Sequence, residues 1–369
     1  MTSPLVQRLL VRIEQAKDPE VKACYFAELA CYWARVGEFD RAEELRAELR
    51  QSYGDGRSVR VSIQIMCIEA LLAYFRELNP NARDRMARAA LLSTAARDPS
   101  LIALTSAWMS HIDFNLNRYE SMVSAIRTCL LHMCAEDGSA ECRVSLVLGD
   151  AFLFAGADAP SNFWYQRARL AAGKTGDQAA IGALTYNRAA LHVAAARFQH
   201  LSHPLSASRI NLVHLEVQSA INYQAIAHLS SLDHLLQSAR VGIMILQDEF
   251  AEALPVIMGV LESAEVPEGS AQRALLEADM ALSLASTGRI TSALQAISAL
   301  QKPSIDSFSP DDLALIWSSV LRASQICGAM DSGPEYTSKI RAAQTQHLEI
   351  VNGLTRLLSP FENESALQS

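Results

Sequence analysis

The chain has 369 residues, half of them hydrophobic but only 7% aromatic, and a formal net charge of −8 at pH 7. That length exceeds what one compact core accommodates, and the acidic balance argues against nucleic-acid binding, which rests on Lys and Arg neutralising phosphates. No apolar run reaches about 18 residues, so no membrane-spanning helix is expected.

Residues 1–14 read as an amphipathic helix with charges at Arg8, Arg12 and Glu14, not as a signal peptide. Asp18-Pro19 opens a helix to Val36, with Pro19 fitting its first position, and Glu38 to Gln51 follows. After the loop Tyr53 to Arg57, Ser58 can cap a helix from Val59 to Leu78. Asn79-Pro80-Asn81 breaks it before Ala82 to Ala96. Asp98-Pro99-Ser100 begins the next pair, which runs through Leu116 and then from Tyr119 to Cys134.

Glu141 to Ala155 and Ser161 to Gly173 form a further pair. A long helix then ends near Leu201, before a break at His203-Pro204. Helices are expected over Ala207 to Leu229, Leu232 to Gln247, Glu249 to Ala264, Ala271 to Thr287 and Thr291 to Leu300. Lys302 to Pro310 is the longest irregular stretch, and Asp311 to Cys327 and Tyr336 to Leu358 close the series. No segment shows sustained period-2 alternation with β-branched enrichment, so no sheet is expected.

Self-similarity organises these helices. The stretch Leu29-Ala30-x-x-Trp33-x-x-x-Gly37-x-Phe39-x-x-Ala42 places two helices either side of a glycine. Leu148, Gly149, Phe152, Gly156, Ser161, Tyr165 and Ala168 fall at the same spacings, as do Ala281, Leu284, Gly288, Ile290, Ala293, Ile297 and Leu300. Weaker copies centre on Asn79, Asn117, Asp248 and Gly328, the last with Trp317 at the Trp position, and there is room for another pair around Ser202. Neither helix of a pair could bury its apolar stripe alone, so pairs must stack.

This pattern resembles the tetratricopeptide repeat (TPR). Its period is near 40 rather than the usual 34, closer to the arrays of bacterial regulators and sensors. The resemblance implies an all-α, right-handed α–α superhelix of about eight helix pairs. One repeat domain is expected over residues 1–358 and a polar tail over residues 359–369.

Candidate chemistry is sparse. Gly173-Lys174-Thr175 looks like the end of a phosphate-binding loop, but residue 168 is Ala and no strand precedes it; it reads as a capped helix C-terminus. Cys129, His132, Cys134 and Cys142 miss the usual zinc-knuckle spacing. His192, His200, His203 and His214 cluster without a carboxylate or thiolate to complete a metal site. The seven cysteines read as reduced, buried thiols of a cytoplasmic protein. No nucleophile-elbow, zinc-protease or dinucleotide motif is present, so neither catalysis nor a cofactor is expected.

The resemblance implies binding on a concave face lined by the first helix of each pair. Transferring the repeat positions puts Arg76, His111, Asn115, Arg143, Asp150, Asn187 and Arg188 there, with Arg35, Glu69 and Arg322 nearby and Tyr186 adding an apolar contact. Asn can pair an extended peptide backbone and Arg can fork onto a carboxylate; the competing reading is that these residues bridge neighbouring helices. The expected function is a scaffold or adaptor holding a protein or peptide partner. The alternative is a sensor module of a bacterial signalling pathway, its transcriptional or cyclic-dinucleotide output carried on another chain. A third is a metal-dependent enzyme.

Overall fold

The computed structural model describes residues 3–76, 81–263, 266–300, 305, 307–329 and 331–362. Among them are seventeen α-helices and no strand. They are α1 (Pro4–Gln15), α2 (Pro19–Arg35), α3 (Phe39–Tyr53), α4 (Val59–Phe75), α5 (Ala82–Ala96), α6 (Pro99–Asn115), α7 (Tyr119–His132), α8 (Gly138–Phe154) and α9 (Asp158–Thr175). There follow α10 (Gln178–His200), α11 (Ala207–Ala227), α12 (Asp233–Leu246), α13 (Phe250–Glu262), α14 (Ala271–Ser286), α15 (Ile290–Leu300), α16 (Pro310–Ile326) and α17 (Gly333–Leu358).

Local chemistry starts these helices. The Asp18 carboxylate accepts from the Glu20 N–H at 2.8 Å, Ser58 Oγ from Val61 N–H at 3.2 Å, and Asp98 from Leu101 N–H at 3.1 Å. Each thereby satisfies a donor that the helix itself leaves open. One stop signal recurs within the pairs. Gly37, Asn117, Gly156, Asp248, Gly288 and Gly328 all have positive φ, between 56° and 84°. The N–H of the following residue reaches back five positions in every case: Glu38 to Trp33, Arg118 to Asp113, Ala157 to Phe152, Glu249 to Met244, Arg289 to Leu284 and Ala329 to Ser324, at 2.8–3.0 Å. This is the left-handed helix cap that closes the last turn on itself. Asn79, another expected turn residue, lies outside the described residues, and the turn around Ser202 between α10 and α11 has no left-handed residue.

Small residues form the seams. Ala30, Ala42, Ala168, Ala281 and Ala293 are fully buried. Gly149 admits the ring of Tyr165: a Cβ there would stand 2.7 Å from that ring. Ser161 Oγ then donates to the Gly149 carbonyl at 2.8 Å, locking α9 to α8.

Some boundaries differ from expectation. The helix expected from Ser161 to Gly173 starts at Asp158 and ends at Thr175. Pro160 sits in its first turn, where a missing N–H costs nothing. The left-handed cap is Gly176, not Gly173. Ser359–Phe361, expected as part of a polar tail, forms a short 3-10 turn with Phe361 buried, and the Trp164 indole N–H donates to the Phe361 carbonyl at 2.9 Å.

The packing divides into two compact units where the sequence reads as one domain: residues 1–184, 224–231 and 354–369, and residues 185–223 and 232–353. In the first, α2 pairs with α3, α4 with α5, α6 with α7 and α8 with α9, while α2 packs on α4 and α6 on α8. The first helices thus form an inner row. Helix α1 meets the end of α9 and the turn that follows it. Leu5 N–H donates to the Gly176 carbonyl at 3.2 Å, and the Arg8 guanidinium to the Lys174 carbonyl at 2.9 Å. In the second unit, α12 pairs with α13 and α14 packs on both α15 and α16; Trp317 of α16 stacks on Tyr336 of α17 at 5.5 Å.

Candidate functional site

Five elements of the first unit bring polar and aromatic side chains to the inner row. Arg35 ends α2, Tyr74 ends α4, Trp108 and His111 share a face of α6 one turn apart, and Arg143 lies early in α8. Asp177 sits at the turn from α9 to α10. It accepts from the Ala180 N–H at 3.0 Å, capping α10, and its other oxygen pairs with Arg35 at 2.8 Å.

Arg143 is the unusual member. It is 5% exposed, and its guanidinium carbon lies 3.9 Å from the centroid of the Trp108 ring. Its Nε is buried with no hydrogen-bond partner, and no carboxylate among the described residues pairs with it. Burial, reinforced by the neighbouring Arg35, pulls its pKa down to about 10. A buried guanidinium without a counter-ion carries a desolvation cost that the cation–π contact offsets only in part.

His111 stands beside it. Its ring meets Trp108 edge-on at 5.7 Å and Tyr74 at 5.4 Å. Burial, and secondarily Arg143, hold the imidazole pKa well below its usual value, so the ring is neutral; its buried Nδ1 has no partner. Burial raises the Tyr74 phenol to about 12, so it keeps its proton and can donate. An unpaired cation and a neutral imidazole therefore meet one indole, and a phenol lies against the imidazole. Such a set can receive an anion, and nothing in it resembles a nucleophile with its base.

The other expected site residues fall elsewhere. Asp150 is buried, and its carboxylate accepts from the Tyr165 hydroxyl at 2.7 Å, a contact between α8 and α9. The Asn115 amide donates to the His111 carbonyl at 2.8 Å, and Arg76 is exposed just beyond α4. Tyr186, Asn187 and Arg188 belong to the second unit. There Tyr186 packs against the α10–α11–α12 core. Arg188 pairs with Glu216 of α11 at 3.4 Å, and the same carboxylate engages the His192 ring. Glu69 pairs with Arg46 and Arg50 of α3, and Arg322 with Asp248. Several expected groove residues thus bridge helices. The structure adds Trp108 and Tyr74, which sequence reasoning missed; the one-turn spacing from Trp108 to His111 was the available signal.

Cys129 and Cys142 are buried thiols raised to about 12 by burial. Among the described residues no three His, Cys, Asp or Glu side chains are grouped to hold a metal. No described helix is long and apolar enough to cross a membrane.

Comparison of the sequence with family models and with curated proteins gives no match. The structure by itself places the chain among all-α helical arrays in which consecutive helices pack.

Proposed function

We propose that this chain is a TPR-like sensor module that binds a small ligand on the inner helix row of its first unit and acts on an output carried by another chain. The observation that carries the reading is Arg143, a buried guanidinium held against Trp108 with no counter-ion. Evolved cores bury charge in pairs, so an unpaired one marks a place where a partner arrives. The residues around it are too buried for the open peptide groove that the sequence implies: His111, Trp108 and Arg143 are each less than a tenth exposed. The reading places the protein in the cytosol, in keeping with seven free thiols.

The test is native mass spectrometry of the full chain after incubation with a small-molecule extract of its host. A retained small molecule, lost in Trp108→Leu, supports the sensor. An extract that leaves no adduct removes it.

The scaffold reading has one observation of its own. Leu212 and Leu215 project one turn apart from α11 and are 49% and 62% exposed, as an apolar partner-binding stripe would be. Capture of a host protein that Leu215→Glu abolishes would favour it.

A further inference from the structure

The charges on the inner row narrow the ligand. Arg35 is already neutralised by Asp177 at 2.8 Å, and Asp150 is engaged by Tyr165. His111 and Tyr74 are neutral. Among these charged groups Arg143 is the one whose buried nitrogen has no hydrogen-bond partner. A carboxylate supplies that partner with one negative charge, whereas a phosphate dianion brings two into a region where burial already penalises charge. The guanidinium is a planar fork that matches the two oxygens of a carboxylate. Neutral donors at Tyr74 and His111 can complete the anion's hydrogen bonds without changing the charge balance.

We propose that Arg143 is the receptor for the carboxylate of a small organic acid, held on the inner row among Trp108, Tyr74 and His111. This deepens the sensor reading and rests on it. The carboxylate forks onto the N–H edge of the Arg143 guanidinium, and Trp108 stays in contact with the cation. Arg35 and Asp177 remain paired and fix the α2 end of the row against the start of α10.

The probes are sodium acetate and sodium benzoate, with benzamide as the neutral counterpart of benzoate and inorganic phosphate as the competing anion, all at constant ionic strength set with chloride. Acetate enters wherever a carboxylate fits. The residue-specific readout is the Nε–H resonance of Arg143 in the full chain, assigned by its absence in Arg143→Met. Acetate and benzoate should move it downfield and saturate, and benzamide should leave it in place. Apparent benzoate affinity, followed by melting temperature, should fall roughly tenfold or more in Arg143→Met, the order of one charge-assisted fork. Arg143→Met should also melt above the wild type without ligand, because it removes an unpaired buried charge. A structural arginine would give the opposite sign.

The proposal is overturned by a resonance that neither carboxylate moves, by one that phosphate moves and acetate does not, or by an Arg143→Met protein that melts lower and keeps its benzoate response. A host small molecule still retained after such a failure would leave the sensor standing with a different ligand chemistry. Loss of both signals would remove the sensor as well.

Discussion

Each unit buries an arginine on a helix, and the two are provided for in different ways. Arg197 of the second unit is 7% exposed and forks onto Asp279 of α14, with N–O distances of 2.7 and 2.8 Å. Ser319 of α16 donates to the same carboxylate at 2.8 Å, so three helices are tied at one point. Arg143 of the first unit is 5% exposed and has only the face of Trp108. The first arrangement is complete and specifies packing; the second lacks its anion. A buried charge is therefore informative about function only after its partners are counted.

The largest expected effect breaks the complete arrangement. Asp279→Ala strands Arg197 in the core and should cost about 3–5 kcal/mol, read by urea denaturation. A loss below about 1 kcal/mol would mean that water reaches the guanidinium, erasing the contrast with Arg143.

Next comes the seam that carries Arg143 into place. Gly149→Ala drives a methyl into the Tyr165 ring, 2.7 Å from the added carbon, and should cost about 1–3 kcal/mol. The same denaturation assay checks it; a neutral result would show that Tyr165 can retreat and that α8 is not held in register by this contact.

The incomplete arrangement should respond with the opposite sign. Arg143→Met is expected to raise ligand-free stability by about 1–2 kcal/mol, because relief of the guanidinium's desolvation outweighs its attraction to the Trp108 ring. Asp279→Ala and Arg143→Met measured side by side should thus bracket the wild type.

The smallest effect concerns pH. The folded pKa of His111 lies well below the ordinary 6.5. As pH falls below that value the unfolded chain takes up a proton that the folded chain refuses, so stability is intact above about pH 6.5 and declines below it. The decline attributable to His111 should reach about 1 kcal/mol one pH unit lower. His111→Phe keeps a ring between Tyr74 and Trp108 and should flatten this part of the melting profile. An unchanged acid slope would show that the imidazole takes up its proton in place.

Much of the fold was legible because its signals are local. A helix cap needs its Asp or Ser within three residues of the donor it satisfies, as at Asp18, Ser58 and Asp98. A left-handed stop is set by one residue and the preceding turn, as at Gly37, Gly156 and Gly288. The apolar period and the small residues at Ala42 and Ala293 are likewise read along the chain. The candidate site was legible only in part. His111 and Arg143 were found through their repeat positions, yet the same rule also selected Asp150, which Tyr165 occupies, and Arg188, which Glu216 occupies. Tyr74 and Trp108 were passed over because an aromatic at helical spacing reads as core, which both of them also are.

The sequence by itself determined that this chain is a series of α-helices, where many of them begin and stop, and that they associate through small-residue seams, because turn chemistry and apolar periodicity act over a few residues and do not wait for the rest of the fold. Which of the more deeply buried arginines find a carboxylate was decided by tertiary structure. Arg35 meets Asp177 and Arg197 meets Asp279 across 142 and 82 positions, and Arg143 meets none. A salt bridge forms only within about 4 Å, and at such separations along the chain only packing decides which groups come that close.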